Sequence, residues 1–373
     1  MKILRLCTDQ VIPGVPLPWN VRNEPGQLLL SKGYVIKDAS QAQTLIERGV
    51  FVDQEEFEKH QQSLVVASAP VLDPSQLWTT LNSQVHSLLC NPQDHPQFQG
   101  DMLNASAHIQ QAIGTDAESV MFDMLSSEPQ SDAVSHSVNT AFVAALTASR
   151  FGWSESEQAT LTNAAMTMNM ATLTLHNTLG TQRTALTPEQ KNALMNHPAQ
   201  SRALLESSGV TNADWLRTVE QHHITPDGRG LPQERGHLSE QACMIHYADV
   251  YMAKLSARAY RGPLPAHQAA RELFINGGGT QNPYVATLIK EIGMYPPGSF
   301  VQLANGDTAV VIKRGESAHT PRVHSILDAR GQPYQTVPLR DTAQATFKVI
   351  TGLPRGHVKT KLNRHNLISE AHA

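Results

Sequence analysis

The chain has little that would place it outside a reducing, aqueous compartment. Its 373 residues include three cysteines, Cys7, Cys90 and Cys243. They lie too far apart for a disulfide framework or a thiolate metal module, which excludes both as the organising chemistry. No apolar run approaches the roughly 18 to 20 residues that a membrane-crossing helix needs. The N-terminal M-K-I-L-R-L-C-T likewise lacks the long apolar stretch of a secretion signal. These absences imply a cytoplasmic protein with no membrane span. Positive charge is not in excess either. There are 29 Lys and Arg against 33 Asp and Glu, a net charge of −4, so no broad basic face argues for DNA or RNA as a partner. The one basic concentration, Arg355, Lys359, Lys361 and Arg364, falls in the last residues and reads as a solvated tail.

What is present is enough apolar residue, 40% of the chain, to build two or three domains with buried cores. Residues 1–60 read as a small α+β module. Short apolar runs there are cut by Ile12-Pro13-Gly14 and Glu24-Pro25-Gly26, the L-L-L run and Gly33-Tyr34-Val35-Ile36 suggest strands, and a helix is expected from Ala39 to Arg48, capped by Asp38 or Ser40. Residues 61–99 read as a linker and a leading helix, and residues 100–295 as a helical domain. A small β segment is expected over 296–355, with a hairpin about Asn305-Gly306 and further strands from Pro321 to Leu327 and Ala345 to Ile350. A basic tail over 356–373 completes the chain. Within the helical part, Val138, Phe142, Ala145 and Leu146 repeat at helical spacing, and His136 precedes them; Asp132 lies four residues earlier, either on the face of His136 if the helix is continuous or as an acidic residue at the helix N-terminus.

The densest stretch runs from residue 219 to 261. Adjacent His222 and His223 would sit about 100° apart on a helix, so a pair entering a turn can aim two imidazoles at neighbouring metal ions. Asp227-Gly228-Arg229-Gly230-Leu231-Pro232 follows, a run whose two glycines and proline let the backbone fold tightly across the mouth of a pocket. Beyond it come Ala248-Asp249 and Arg258-Ala259-Tyr260-Arg261. His86, His95 and His108 have no acidic or histidine partner one helical turn further on and carry no metal expectation.

This order of motifs resembles the HD-GYP family of metal-dependent phosphodiesterases, which cleave cyclic di-GMP. The resemblance spans about residues 130 to 315 and includes His136, Leu186-Thr187-Pro188-Glu189, His197-Pro198 and the string from Tyr295 to Gly306, with a shorter likeness at the N-terminus. It implies a mainly α fold: an HD-type helical bundle, with a small α+β module before it and a short β segment after it. It also implies that His136, His197, His222, His223 and Asp249 match metal ligands, and that Asp227, Gly228, Gly230, Arg258 and Tyr260 belong to the ligand-binding surroundings. The chain departs from the family at several points. Ile224 and Leu231 replace the usual glutamate and tyrosine, and Met252 replaces a second aspartate. Where the family reads H-D-I-G-K, this chain has Met168, Asn169, Met170, Ala171 and Thr172.

Those losses have a physical consequence. A bridging carboxylate neutralises part of the charge of two cations held about 3.5 to 4 Å apart, and the neutral amide of Asn169 cannot. A thioether at Met168 suits soft ions, and Thr172 supplies no charge to a phosphate. The expectation is a degenerate member with no catalytic residue, acting in bacterial cyclic di-GMP signalling by binding the nucleotide or a signalling protein. It would hold one divalent ion (iron, manganese or magnesium) or none, its histidines being retained ligands or hydrogen-bonded relics. The alternatives are an active phosphodiesterase with a rebuilt metal site, and a scaffold that binds no nucleotide.

Overall fold

A computed structural model describes residues 3–5, 16–17, 19–23, 25–38, 40–41, 45, 51–53, 74–127, 132–224, 238–257, 261–358 and 367. The chain divides into two compact units, Met1–Leu72 and Asp73–Ala373. In the first, β1 (Ile3–Arg5), β2 (Val21–Arg22), β3 (Leu28–Leu30) and β4 (Phe51–Asp53) form an antiparallel sheet in the order β1-β4-β2-β3. Leu17, Trp19, Val21, Ile36 and Val52 make its core. The expected strand at Gly33–Ile36 is a correction: Gly33, at φ +88, turns the chain, and only a single bridge pairs Val35 with Pro16. The expected helix from Ala39 falls largely outside the described residues, although Asp38 caps its start by accepting the Gln41 backbone N–H at 2.8 Å.

The second unit is mainly helical: α1 (Pro74–Cys90), α2 (Phe98–Ser126), α3 (Ala133–Ala148), α4 (Glu155–Thr167), α5 (Leu173–Thr181), α6 (Pro188–Ser207), α7 (Ala213–Gln221), α8 (Glu240–Leu255), α9 (Ala266–Asn276) and α10 (Pro283–Ile292). Local chemistry sets several starts. Ser154 with Glu157, and Thr187 with Gln190, form capping boxes before α4 and α6, and Pro188 occupies the first turn of α6, where a missing N–H costs nothing. Asp116 breaks α2 with a non-helical φ of −159° and recaps it by accepting from Ser119 N at 3.0 Å. The central helix α3 is buried along most of its length, and small residues such as Ala141, Ala144, Ala145 and Ala148 let its neighbours approach closely.

Five antiparallel strands follow in the order β8-β7-β6-β5-β9: β5 (Phe300–Leu303), β6 (Thr308–Lys313), β7 (Arg322–Leu327), β8 (Leu339–Asp341) and β9 (Val349–Leu353). The β5–β6 hairpin turns at Asn305-Gly306, with Gly306 at φ +90. The expected strand over Ala345–Ile350 starts late, because Ala345–Phe347 is a 3-10 turn that precedes β9. One face of this sheet packs on Phe122 of α2. Gly298, at φ +87, permits the contact, since a Cβ there would lie 2.4 Å from the Phe122 carbonyl oxygen.

Candidate metal centre and its surroundings

The histidine positions follow from backbone groups that the helices leave unpaired. Pro198 inside α6 has no N–H, so the carbonyl four residues back, that of Leu194, loses its helical donor. His197 fills the gap, donating Nδ1–H to Leu194 O at 2.7 Å. At the end of α7 the last carbonyls are orphaned in the same way, and His222 donates Nδ1–H to Val219 O at 2.6 Å. A carbonyl only accepts, so both rings carry the hydrogen on Nδ1 and present Nε2 as a bare lone pair. The two Nε2 atoms face each other at 3.1 Å.

His223 completes a group of three. Its ring centroid lies 4.2 Å from that of His222 and 4.9 Å from that of His197. One ligand nitrogen from each of the three comes within 4.8 Å of the others. His197 and His222 are buried and His223 is partly so. Burial lowers all three from the ordinary 6.5, His197 to about 4 despite the Leu194 bond, and His222 well below that ordinary value, with the charge of its histidine neighbours adding to the effect. Two neutral imidazoles whose lone pairs point at one another repel, and a proton between them is disfavoured. A cation satisfies both, so the donor set fits a metal ion.

The other two expected ligands pair with each other. His136, on the first turns of α3, meets Asp249 of α8 at 2.7 Å between Nε2 and Oδ1. Burial pushes Asp249 up, but the hydrogen bond and charge of His136 outweigh it and hold the carboxylate below its ordinary range. Asp132 is not on the face of His136. It is the extended N-cap of α3, and its carboxylate accepts from Ser135 N at 2.8 Å and Ser135 Oγ at 2.9 Å.

The turn from Met168 to Thr172 is fastened to α6, which carries His197, and α4 before it is tied to α7, which His222 ends. Met168 ends α4 fully buried, and Asn169 is buried before a 3-10 turn, Met170–Thr172. Ala171 N donates to Ser201 Oγ at 3.1 Å, one helical turn beyond His197 on α6. Thr172 is also buried and spends its hydroxyl on the carbonyl of Asn169 at 3.3 Å. Trp215 of α7 donates Nε1–H to Thr167 Oγ1 at 2.9 Å, and Arg202 of α6 pairs with Glu220 of α7. These ties, and His176 of α5 with its ring 6.2 Å from that of His197, had no motif to announce them. Leu231, Asp227, Gly228, Gly230, Arg258 and Tyr260 lie outside the described residues.

A groove of about 580 Å³ opens elsewhere on the same unit, lined by Asn82 and His86 of α1, Ser135 of α3, Met252 of α8, Ser256 just after α8, and Phe300. None of the three clustered histidines lines it, yet two of its walls are the helices that carry His136 and Asp249.

A family model described as HD domain matches residues 119–278, which run from the recapped half of α2 into the loop after α9. The cyclic di-GMP phosphodiesterase PA4108 of Pseudomonas aeruginosa is 30% identical over 167 residues, covering 43% of this chain and 40% of that protein. The chain thus spans about two-fifths of the length of this curated relative. Among solved structures, Bd1817, an HDG"Y"P protein from Bdellovibrio bacteriovorus, superposes with a TM-score of 0.50 at 13% identity, over 78% of this chain and 99% of that one, which is a likeness of fold. Residues 119–278 of the helical unit thus match an HD domain. HD domains typically bind divalent metals, and the three clustered histidines fall within the matched residues. Among the described residues no helix is long and apolar enough to cross a membrane.

Proposed function

We propose that this chain is a cyclic di-GMP receptor built on an HD-GYP-type domain, holding at most one divalent ion and leaving the nucleotide intact. The carrying observation is Asn169: a neutral amide, buried beside the histidine helices, stands where the family places the carboxylate that joins two cations. Without that anion a second cation would bring uncompensated charge into a low-dielectric site. The loss of the family lysine, with Thr172 turned to the backbone, removes a charge that would favour a reacting phosphate. Nucleotide recognition is supported by the name of the Pseudomonas relative and by a groove within the ~300–1,000 Å³ range of ligand sites. The groove's rim at Ser256 stands two residues before Arg258 in sequence.

Titration calorimetry of the purified chain with cyclic di-GMP, followed by chromatography of the mixture with manganese or ferrous ion supplied, tests this reading. The expected result is heat of binding and unchanged nucleotide. Linear product at enzyme-like turnover refutes it, and absence of both heat and thermal stabilisation leaves a scaffold that binds no nucleotide. A second reading, a slow phosphodiesterase using one ion, draws on the histidine triad, because three protein ligands and an open position can activate a water. It requires metal-dependent product in the same assay.

A further inference from the structure

We infer that the groove reads a guanine base, with Asp132 accepting from the N1–H and N2–H2 donors of the base and Asn139 donating to its O6. This deepens the reading above and rests on it for the nucleotide that carries the base. It assigns base choice to two residues on the wall of a groove that none of the clustered histidines lines.

The wall of the groove asks for a ligand that brings hydrogen-bond donors. Its serines have spent their hydrogens: Ser83 on Thr79 O, Ser127 on Asp123 O, Ser135 on Asp132 Oδ2, Ser256 on Met252 O and Ser299 on Pro296 O. Their oxygens are left as acceptors. The Arg355 guanidinium, also on the wall, is held by Ser126 O and Val358 O and lies over the Phe300 ring.

Against that background two side chains stay uncommitted. Asp132 takes Ser135 N and Ser135 Oγ on Oδ2, and its Oδ1 has no hydrogen-bond partner among the described residues. Asn139 has none at either amide atom. They are seven residues apart at the start of α3, so they share one face, about 10 Å apart along the axis. That separation suits a purine edge with a hydrogen bond at each end.

The chemistry of the pair then selects the base. Guanine places two donors beside one acceptor, which a carboxylate oxygen and a carboxamide N–H complement, and the bond to the carboxylate is charge-assisted. Adenine would set its N1 lone pair against the Asp132 carboxylate, a repulsion with no donor to relieve it. Trp78, Met252 and Leu255 supply apolar wall for the faces of the ring.

Calorimetric titration of the full chain with cyclic di-GMP, cyclic di-AMP, GMP and AMP tests this. Wild type should bind cyclic di-GMP about 10- to 100-fold more tightly than cyclic di-AMP. Asp132→Asn keeps a good helix cap, because Asn serves there as well as Asp, but turns the free acceptor into an N–H donor. It should weaken cyclic di-GMP about 10- to 100-fold and leave cyclic di-AMP no weaker, a change of preference that a loss of fold would not produce. Asn139→Ala should weaken cyclic di-GMP about 10-fold. Equal affinity of wild type for the two dinucleotides, or variants that bind cyclic di-GMP as tightly as wild type, would overturn the assignment and spare the receptor. Heat from GMP that Asp132→Asn abolishes, with none from cyclic di-GMP, sinks the receptor and spares the guanine site. No heat from either guanine nucleotide sinks both.

Discussion

Acidification of the metal-free protein should weaken the helical unit through the histidine cluster, and the size of the effect can be worked out for His197. Its imidazole is buried, and burial moves it from 6.5 to about 4. A group lowered in the folded state binds fewer protons there than in the unfolded chain, so its neutral form supports the fold above pH 6.5, and the support is lost between 6.5 and 4. From pH 7.5 to pH 5 the loss from His197 alone is about 2 kcal/mol, rising to about 3.4 kcal/mol below pH 4. Asp249 does not offset this, because a carboxylate held below its ordinary range keeps its contribution down to the acid side of that range. His222 and His223 act in the same direction as His197, as do the more peripheral His108 and His267. Whole-protein slopes therefore exceed the single-site figure, and a variant isolates it. His197→Asn keeps a donor for Leu194 O and cannot be protonated. Urea unfolding followed by helical circular dichroism at pH 7.5 and pH 5, with chelator present, should show wild type losing about 2 kcal/mol more than the variant between the two. Equal losses in the two proteins would refute the reasoning.

Other perturbations report on how the cluster is held. Ser201→Ala leaves the Ala171 N–H without its acceptor and should lower unfolding free energy by about 1–3 kcal/mol, readable as a shifted denaturant midpoint. Trp215→Phe removes the bond to Thr167 and should cost about 1–2 kcal/mol in the same measurement, with metal retention weakened because α4 and α7 are no longer tied. Gly298→Ala demands a positive φ and a Cβ 2.4 Å from the Phe122 carbonyl, so it should cost more than about 1 kcal/mol and loosen the C-terminal sheet first, visible as raised hydrogen exchange in β5 and β6.

The sequence carried the helical character of the second unit, because apolar spacing, capping boxes and Pro188 all act within a few residues. It also carried the β5–β6 hairpin, whose Asn-Gly turn is a local device. It did not carry the shortness of the segment around Val35, where strand-like residues lie on a bend set by Gly33, nor the 3-10 turn that delays β9. At the candidate site, His-Pro and His-His named the three rings that do come together. What the residues alone left out were relations across the fold. One is the direct pairing of His136 with Asp249, 113 positions apart. Another is the pair of carbonyls that fix two tautomers. Each depends on where a helix ends or crosses another, which periodicity does not encode.

On the proposed reading, Asn169 takes the place of the family's shared carboxylate, and the chain binds cyclic di-GMP without opening it. Incubating the chain with cyclic di-GMP and an excess of manganese or ferrous ion, with elemental analysis of the recovered protein, tests it most directly. Intact nucleotide and no more than one ion per chain is the predicted result; linear dinucleotide made by a protein carrying two ions would contradict it.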